Sequence, residues 1–196
     1  MVAQDTALDT LIDHVRAARA SHTPLDIRGG NTKAFYGEAP QGQPLEMRGL
    51  RGISSYEPSE LVVTVRAGTP LAELAAALAE LVQCLPFEPP RFENLTNAGV
   101  RGGSVGGMVA AGLAGPARAA VGGLRDYVLG ATLLNGKAEV LSFGGQVMKN
   151  VAGYDVSRLL AGSLGTLGVI LEVSLKVMPI APATSRTFGP RRHSAS

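Results

Sequence analysis

Seventeen of the chain's 25 glycines fall between Gly99 and Gly168. They gather in Gly102-Gly103-Ser104-Val105-Gly106-Gly107, in Gly122-Gly123 and in Gly162-Ser163-Leu164-Gly165-Thr166-Leu167-Gly168, and an earlier pair, Gly29-Gly30, makes a fourth cluster. Each glycine inside a helix or strand costs roughly 0.5 to 1 kcal/mol relative to alanine, and an average chain holds about 7% of them. Several clusters in one domain therefore constrain the fold to one whose backbone turns approach something closely. A large, phosphate-bearing ligand fits that requirement.

Composition narrows the alternatives. A chain of 196 residues, 45% hydrophobic and 17% charged, can bury about 70% of its unfolded surface and is expected to fold as one large domain or two small lobes. It has no Trp, 5% aromatics and a formal charge of +2, too little stacking surface and too little charge for a nucleic-acid partner. The N-terminus lacks a basic-then-apolar leader, and no run approaches the roughly 18 apolar residues of a membrane span, so the expectation is a cytoplasmic chain. Cys84 is the single cysteine, which rules out an internal disulfide or a cysteine-ligated iron–sulfur cluster within the chain; its apolar setting reads as a structural thiol. His14, His22 and His193 are scattered and give no metal-ligand spacing.

Leu8, Leu11, Ile12 and Val15 follow Thr6 at helical spacing, predicting an amphipathic helix to about Ala20. Pro24 to Arg28 reads as a short strand that delivers the chain into Gly29-Gly30-Asn31-Thr32-Lys33. Glu60 to Arg66 is a β-branched strand. Thr69 and Pro70 are the expected N-cap and first-turn proline of an Ala-rich helix from Leu71 to Leu81. A Pro-rich turn covers Pro86 to Pro90, and Val105 to Leu113 reads as a helix of small residues. Asn135-Gly136 predicts a two-residue hairpin between Tyr127–Leu134 and Ala138–Phe143. Asp155 is placed to cap a helix through Leu160, and Val169, Leu171, Val173, Leu175 and Val177 alternate along a last strand. Residues 183–196 are polar, basic and without period, and read as a disordered tail.

Three of these segments suit a dinucleotide. Backbone amides in the turn Arg28 to Lys33 can converge on phosphate oxygens, with Asn31 tolerating a left-handed conformation and Thr32 offering a hydroxyl. Ser104 to Ala110 sets a hydroxyl and two glycines at a helix start, where free amides favour an anion. Gly162 to Gly168 can press backbone against a ring system. An ordinary turn accounts for any one of them; their conjunction is the signal. The sequence contains neither GxxxxGK[ST] nor a strand-borne GxGxxG, and no Ser/His/Asp or Cys/His set stands out.

Read together, the segments from about Leu8 to Pro179 resemble the FAD-binding domain of vanillyl-alcohol oxidase type flavoproteins, the p-cresol methylhydroxylase fold. Its late pattern GY-D-x-x-x-L-x-x-GS-x-GTLG-I is matched by Gly153-Tyr154-Asp155, Leu159, Gly162-Ser163, Gly165-Thr166-Leu167-Gly168 and Ile170. The resemblance implies an α+β, two-lobed FAD-binding domain: a small N-terminal α/β lobe over about 1–55 and a larger lobe over about 56–182, with an antiparallel sheet flanked by helices. It implies pyrophosphate contacts from Arg28, Gly29, Gly30, Asn31, Thr32, Lys33, Ser104, Val105, Gly106 and Gly107, Arg28 either touching phosphate or anchoring the loop. Gly162, Ser163, Gly165, Thr166, Gly168 and Ile170 would line the rest of FAD. Members that hold FAD covalently often carry a histidine where this chain has Asn31, so non-covalent FAD is expected.

Within that family, Pro86-Phe87-Glu88-Pro89-Pro90 and Lys149 to Asp155 are most similar to the FAD-binding E subunits of bacterial glycolate oxidases. That similarity implies hydride transfer from the α-carbon of a 2-hydroxy acid such as glycolate to the flavin, and partnership with a second flavin subunit and an iron–sulfur subunit, peripheral to the inner membrane through those partners. The substrate-cap domain that follows the FAD domain in the family is expected to be absent here. Neither His14, Tyr154 nor Asp155 makes a substrate base, so acid–base groups are expected in a cap domain or a partner. Two other readings stay open: a non-catalytic assembly subunit that retains the flavin fold, and the FAD subunit of a molybdenum hydroxylase.

Overall fold

A computed structural model describes residues 5–92, 103–145 and 155–182. The chain runs α1 (Thr6–Ser21), β1 (Leu25–Arg28), β2 (Gln43–Glu46), β3 (Ile53–Glu57), β4 (Val62–Arg66), α2 (Leu71–Glu80), β5 (Gln83–Cys84), α3 (Val105–Ala111), α4 (Arg118–Val121), a 3-10 turn (Leu124–Tyr127), β6 (Val128–Leu134), β7 (Val140–Gly144), α5 (Val156–Leu159), β8 (Val169–Lys176) and β9 (Met178–Pro179). Lys149 to Tyr154, Gly99, Gly102 and the tail from residue 183 lie outside the described residues.

The centre is a wholly antiparallel sheet ordered β3-β4-β8-β6-β7. β8 is its middle strand, so its alternation does not translate into one wet face: Ile170 and Ser174 are buried as well as Leu171, Val173 and Leu175. α2 buries Leu71, Leu74 and Leu78, and α3 buries Val105, Met108 and Val109, in one continuous core with Val63, Val65, Val173 and Leu175. At about 1.5–3 kcal/mol for each fully buried aliphatic side chain, this packing is the main source of stability. α1 joins the same core through Leu11 and Val15, near Leu45 and Met47.

The smaller lobe is built on β1 and β2, which pair in parallel, Leu25 opposite Gln43 through Arg28 opposite Glu46. Parallel neighbours need a long crossover. Here it is the irregular segment 29–42, and that segment becomes a wall of the site.

Two local expectations are corrected. Thr69 does not cap α2: its Oγ1 accepts from the Gly52 N–H (2.9 Å) and donates to the Gly52 carbonyl (3.2 Å), while Pro70 takes the cap position and the Leu71 N–H donates to the Gly103 carbonyl (3.0 Å). A buried hydroxyl with two tertiary partners has no reason to serve the helix. The hairpin turn is also longer than two residues. Asn135 N–H donates to Glu139 O and Ala138 N–H to Asn135 O, each 3.0 Å, leaving a three-residue loop with Ala138 left-handed at φ 62°. The Asn135 side chain accepts from the N–H groups of Lys137 and Glu139, which favours this wider turn over the tight one.

Candidate functional site

β1 ends at Arg28 and releases the chain into a loop whose Gly29 and Lys33 carbonyls accept from Arg48 Nε (3.2 Å) and the Tyr36 N–H (2.9 Å). Among the described residues, the N–H groups of Gly29, Gly30, Asn31, Thr32 and Lys33 find no acceptor. Asn31 sits at φ 52°, the left-handed conformation that lets successive amides converge into an anion-binding concavity. These residues line a cleft of about 460 Å³ together with Tyr36, Ser104, Gly107, Ala110 and Thr166. That volume is in the ~300–1,000 Å³ range of small-molecule sites.

The charges on this wall divide sharply. Arg28 Nε donates to Asp26 Oδ2 at 2.5 Å, and the Asp26 side chain is only 9% exposed. Arg28 is thereby half neutralised and held as an anchor of the loop. Lys33 has no carboxylate within ion-pair distance among the described residues; its Nζ lies 5.8 Å from the centre of the Phe92 ring, which meets Phe35 edge-on. Burial pushes the Lys33 ammonium below the usual lysine range. A desolvated cation with no acidic partner among the described residues, beside five amides idle among them, is arranged to receive an anion.

The second segment meets the same cleft differently from the expectation. The first amides of α3 are not free: Val105 N–H donates to Thr69 O (2.9 Å), Gly106 N–H to Ala67 O (2.8 Å) and Gly107 N–H to Ser104 Oγ (3.2 Å). α3 therefore offers a side-chain-poor surface, not donors. Gly106 is pressed against β4's end, where a Cβ would lie 2.7 Å from Ala67 Cβ, while a Cβ on Gly107 would meet only Ser104 Oγ, at 3.2 Å. A Cβ on Gly29 would lie 2.1 Å from the same Ser104 oxygen, so these two glycine segments are in direct apposition. Val105 itself is turned wholly into the core.

The third segment, after α5, closes the far side. Asp155 caps α5 as expected, accepting from the Arg158 N–H at 3.2 Å. Thr166 reaches the large cleft, and Gly165, Gly168 and Ile170 line an adjoining apolar pocket of about 60 Å³ with Met47 and Ala67. Gly162 and Ser163 reach neither wall; Gly162 is exposed beside α3, its N–H donating to Val109 O at 3.0 Å, and the buried Ser163 hydroxyl has no partner among the described residues. The sequence reading missed Ile27, Met47, Ala67, Ala110 and Leu164 as lining residues. Ala110 and Leu164 lie within the motifs already singled out, whereas Met47 and Ala67 directly follow β2 and β4 and carry no local signal.

The remaining reactive groups lie elsewhere. Cys84 borders a separate cavity of about 400 Å³ between α2 and Ile180, and burial first, then the nearby Glu88 charge, push its thiol up. Among the described residues no cluster of His, Cys, Asp or Glu could hold a metal, and no helix is long and apolar enough to cross a membrane.

A cleft with five amides that are unpaired and one cation that has no acidic partner among the described residues suits a diphosphate. The match to known proteins accords with this. The family model described as "FAD binding domain" matches residues 1–144, and the chain belongs to that family. Its fold is the two-lobed, p-cresol methylhydroxylase type α+β FAD-binding domain, and its cofactor is FAD. Glycolate oxidase subunit GlcE of Escherichia coli (strain K12) is 51% identical over 170 residues, which cover 86% of this chain and 46% of that protein. Glycolate oxidase subunit GlcD of Bacillus subtilis (strain 168) is 29% identical, covering 84% and 34%, and a D-lactate dehydrogenase of Anaerostipes hadrus 27% identical, covering 91% and 36%. Among solved structures, alkyldihydroxyacetonephosphate synthase superposes with a TM-score of 0.67 at 20% identity, over 89% of this chain and 33% of that one. The chain thus spans between a third and a half of the length of these relatives.

Proposed function

We propose that this chain is the FAD-holding, assembly subunit of a complex that oxidises glycolate or a similar 2-hydroxy acid, and that it does not itself carry the substrate's base. The observation that carries the reading is the single cleft shared by the Gly29–Lys33 amides, the Lys33 ammonium, the Ser104–Gly107 surface and Thr166. The similarity to a glycolate oxidase subunit at 51% identity supports the substrate class.

In this reading the amides of Gly29 to Lys33 bind the pyrophosphate of non-covalent FAD and Lys33 neutralises it. Gly107 allows its close approach, and Gly29 lets the loop pack against Ser104. Gly165, Gly168 and Ile170 line the rest of the cofactor, and Arg28 holds the loop through Asp26. FAD, when bound, supplies the two-electron redox chemistry. Among the described residues that line the cleft there is no histidine, Asp26 is engaged by Arg28, and Glu38 stands exposed on the outer loop. This supports acid–base groups supplied by a cap domain or a partner, with a second flavin subunit and an iron–sulfur subunit as the expected assembly. The lobes are assigned to about 1–55 and 56–182.

Dye-linked oxidation tests the reading. The purified chain is expected to contain FAD yet to oxidise glycolate with an artificial acceptor only after partner subunits are added; turnover at ordinary enzyme rates by the chain alone would overturn the assembly role.

A further inference from the structure

The large cleft and the small apolar pocket share six wall residues: Ile27, Gly29, Ser104, Gly107, Ala110 and Leu164. The two spaces therefore adjoin. Only two of the six carry a large side chain, and they differ in freedom. Ile27 is fixed within β1, whereas Leu164 stands at the tip of the Gly162–Gly168 turn and is 50% exposed. Its side chain crosses toward the opposite loop, where a Cβ on Gly37 would lie 3.7 Å from a Leu164 methyl.

Leu164 is also the odd residue of its turn. Gly162, Gly165 and Gly168 take φ values of 84°, 80° and 140°, and Leu164 takes 52°. Glycine adopts such a conformation freely; leucine does so at a cost, and an exposed leucine held there calls for a reason other than packing. The pocket behind it, at about 60 Å³, has room for a water or two and none for a ring.

We infer that Leu164 is a specificity-determining wedge between the anion cleft and the apolar pocket, and that an aromatic ring of the dinucleotide gains the pocket only when this side chain swings aside. The inference rests on the proposed binding of FAD in the cleft. Phosphate recognition, by contrast, occurs on the outer side of the wedge and is independent of it. Leu164 is a contact residue for the ring and acts mainly on the rate of entry, because a half-exposed side chain has little packing to lose when it moves.

Stopped-flow association of FAD with flavin-stripped protein tests this, with inorganic pyrophosphate titrated in parallel and melting followed for each variant. Leu164→Ala and Leu164→Gly are expected to bind FAD roughly fivefold or more faster than the parent, and Leu164→Phe slower by a similar factor. Pyrophosphate affinity is expected to stay within about twofold throughout, and melting to be unchanged or raised in Leu164→Gly, which removes the left-handed strain. A parent that takes up FAD at the same rate as all three variants overturns the wedge and leaves the binding reading intact. A parent that binds neither FAD nor pyrophosphate overturns the underlying reading, and the wedge with it.

Discussion

Gly106 and Gly107 are neighbours in one turn of α3, yet the structure gives them opposite duties, and exchanging each for alanine separates the two. On Gly106 the new methyl would stand 2.7 Å from Ala67 Cβ and 3.1 Å from the Ala67 carbonyl. Neither neighbour can yield freely, since Ala67 is 2% exposed and its carbonyl accepts the Gly106 N–H. Overpacking of this kind costs about 1–3 kcal/mol, and the better helix propensity of alanine returns about 1 kcal/mol. A net loss of ~0–2 kcal/mol lowers Tm by up to roughly 8 °C in a domain of this size. On Gly107 the methyl meets only the Ser104 hydroxyl, at 3.2 Å. The propensity gain of ~1 kcal/mol then roughly offsets a weakened cap, also ~1 kcal/mol. Stability should stay within about 1 kcal/mol of the parent. The methyl instead occupies the cleft wall, and FAD affinity should fall at least tenfold, or ~1.4 kcal/mol. Melting of flavin-free protein and titration with FAD read the two effects independently. Equal stability losses for both variants, or parental FAD affinity in Gly107→Ala, would refute the division of the two faces.

Other expectations follow from single groups. Lys33→Met should weaken FAD by about tenfold or more, since a charged hydrogen bond contributes ~1.5–3 kcal/mol, and should flatten the salt dependence of binding; undiminished affinity would remove Lys33 from the anion site. Because burial lowers the Lys33 pKa, the folded, flavin-free protein sheds this proton at lower pH than the unfolded chain. Its stability should therefore gain as pH rises from the lowered value to the ordinary lysine value, while FAD affinity declines over the same alkaline range; both trends should vanish in Lys33→Met. The Cys84 thiol, pushed up by burial and by Glu88, should react with a disulfide reagent near neutral pH much more slowly than in the urea-unfolded chain, and equal rates would contradict its environment. Asp155→Ala removes the cap on Arg158 N–H and should cost about 1 kcal/mol, or roughly 2–4 °C in Tm, most of it restored by Asp155→Asn.

Much of this architecture was legible in local sequence. The strand leading into Gly29-Gly30, the left-handed Asn31, the Asp155 cap and the central β8 each rest on short-range rules, and each stands where its residues place it. What local pattern did not reveal is tertiary. β2 contains Pro44 and buries only Leu45, so nothing in Gln43–Glu46 announces a strand, still less a parallel partner for β1. Thr69 looks like a cap in sequence and becomes a tie to Gly52 because the chain returns there. In sequence the α3 amides read as available for an anion, but the Thr69 and Ala67 carbonyls, just past β4, accept the Val105 and Gly106 N–H groups. Leu164 was hidden for another reason: among glycines chosen for their missing side chains, the residue that has one draws no notice.

The central claim is that the Gly29–Lys33 loop and the two later glycine segments enclose one FAD. Its most direct test is the cofactor of the purified chain, identified by absorbance and mass after release, together with the melting shift on adding FAD to stripped protein. FAD is expected as the released species and, at a concentration 100 times the parent Kd, a stabilisation of about 2.7 kcal/mol, or roughly 5–10 °C, cut to about half or less in Gly107→Ala at the same concentration. A colourless protein whose melting is indifferent to FAD would contradict it.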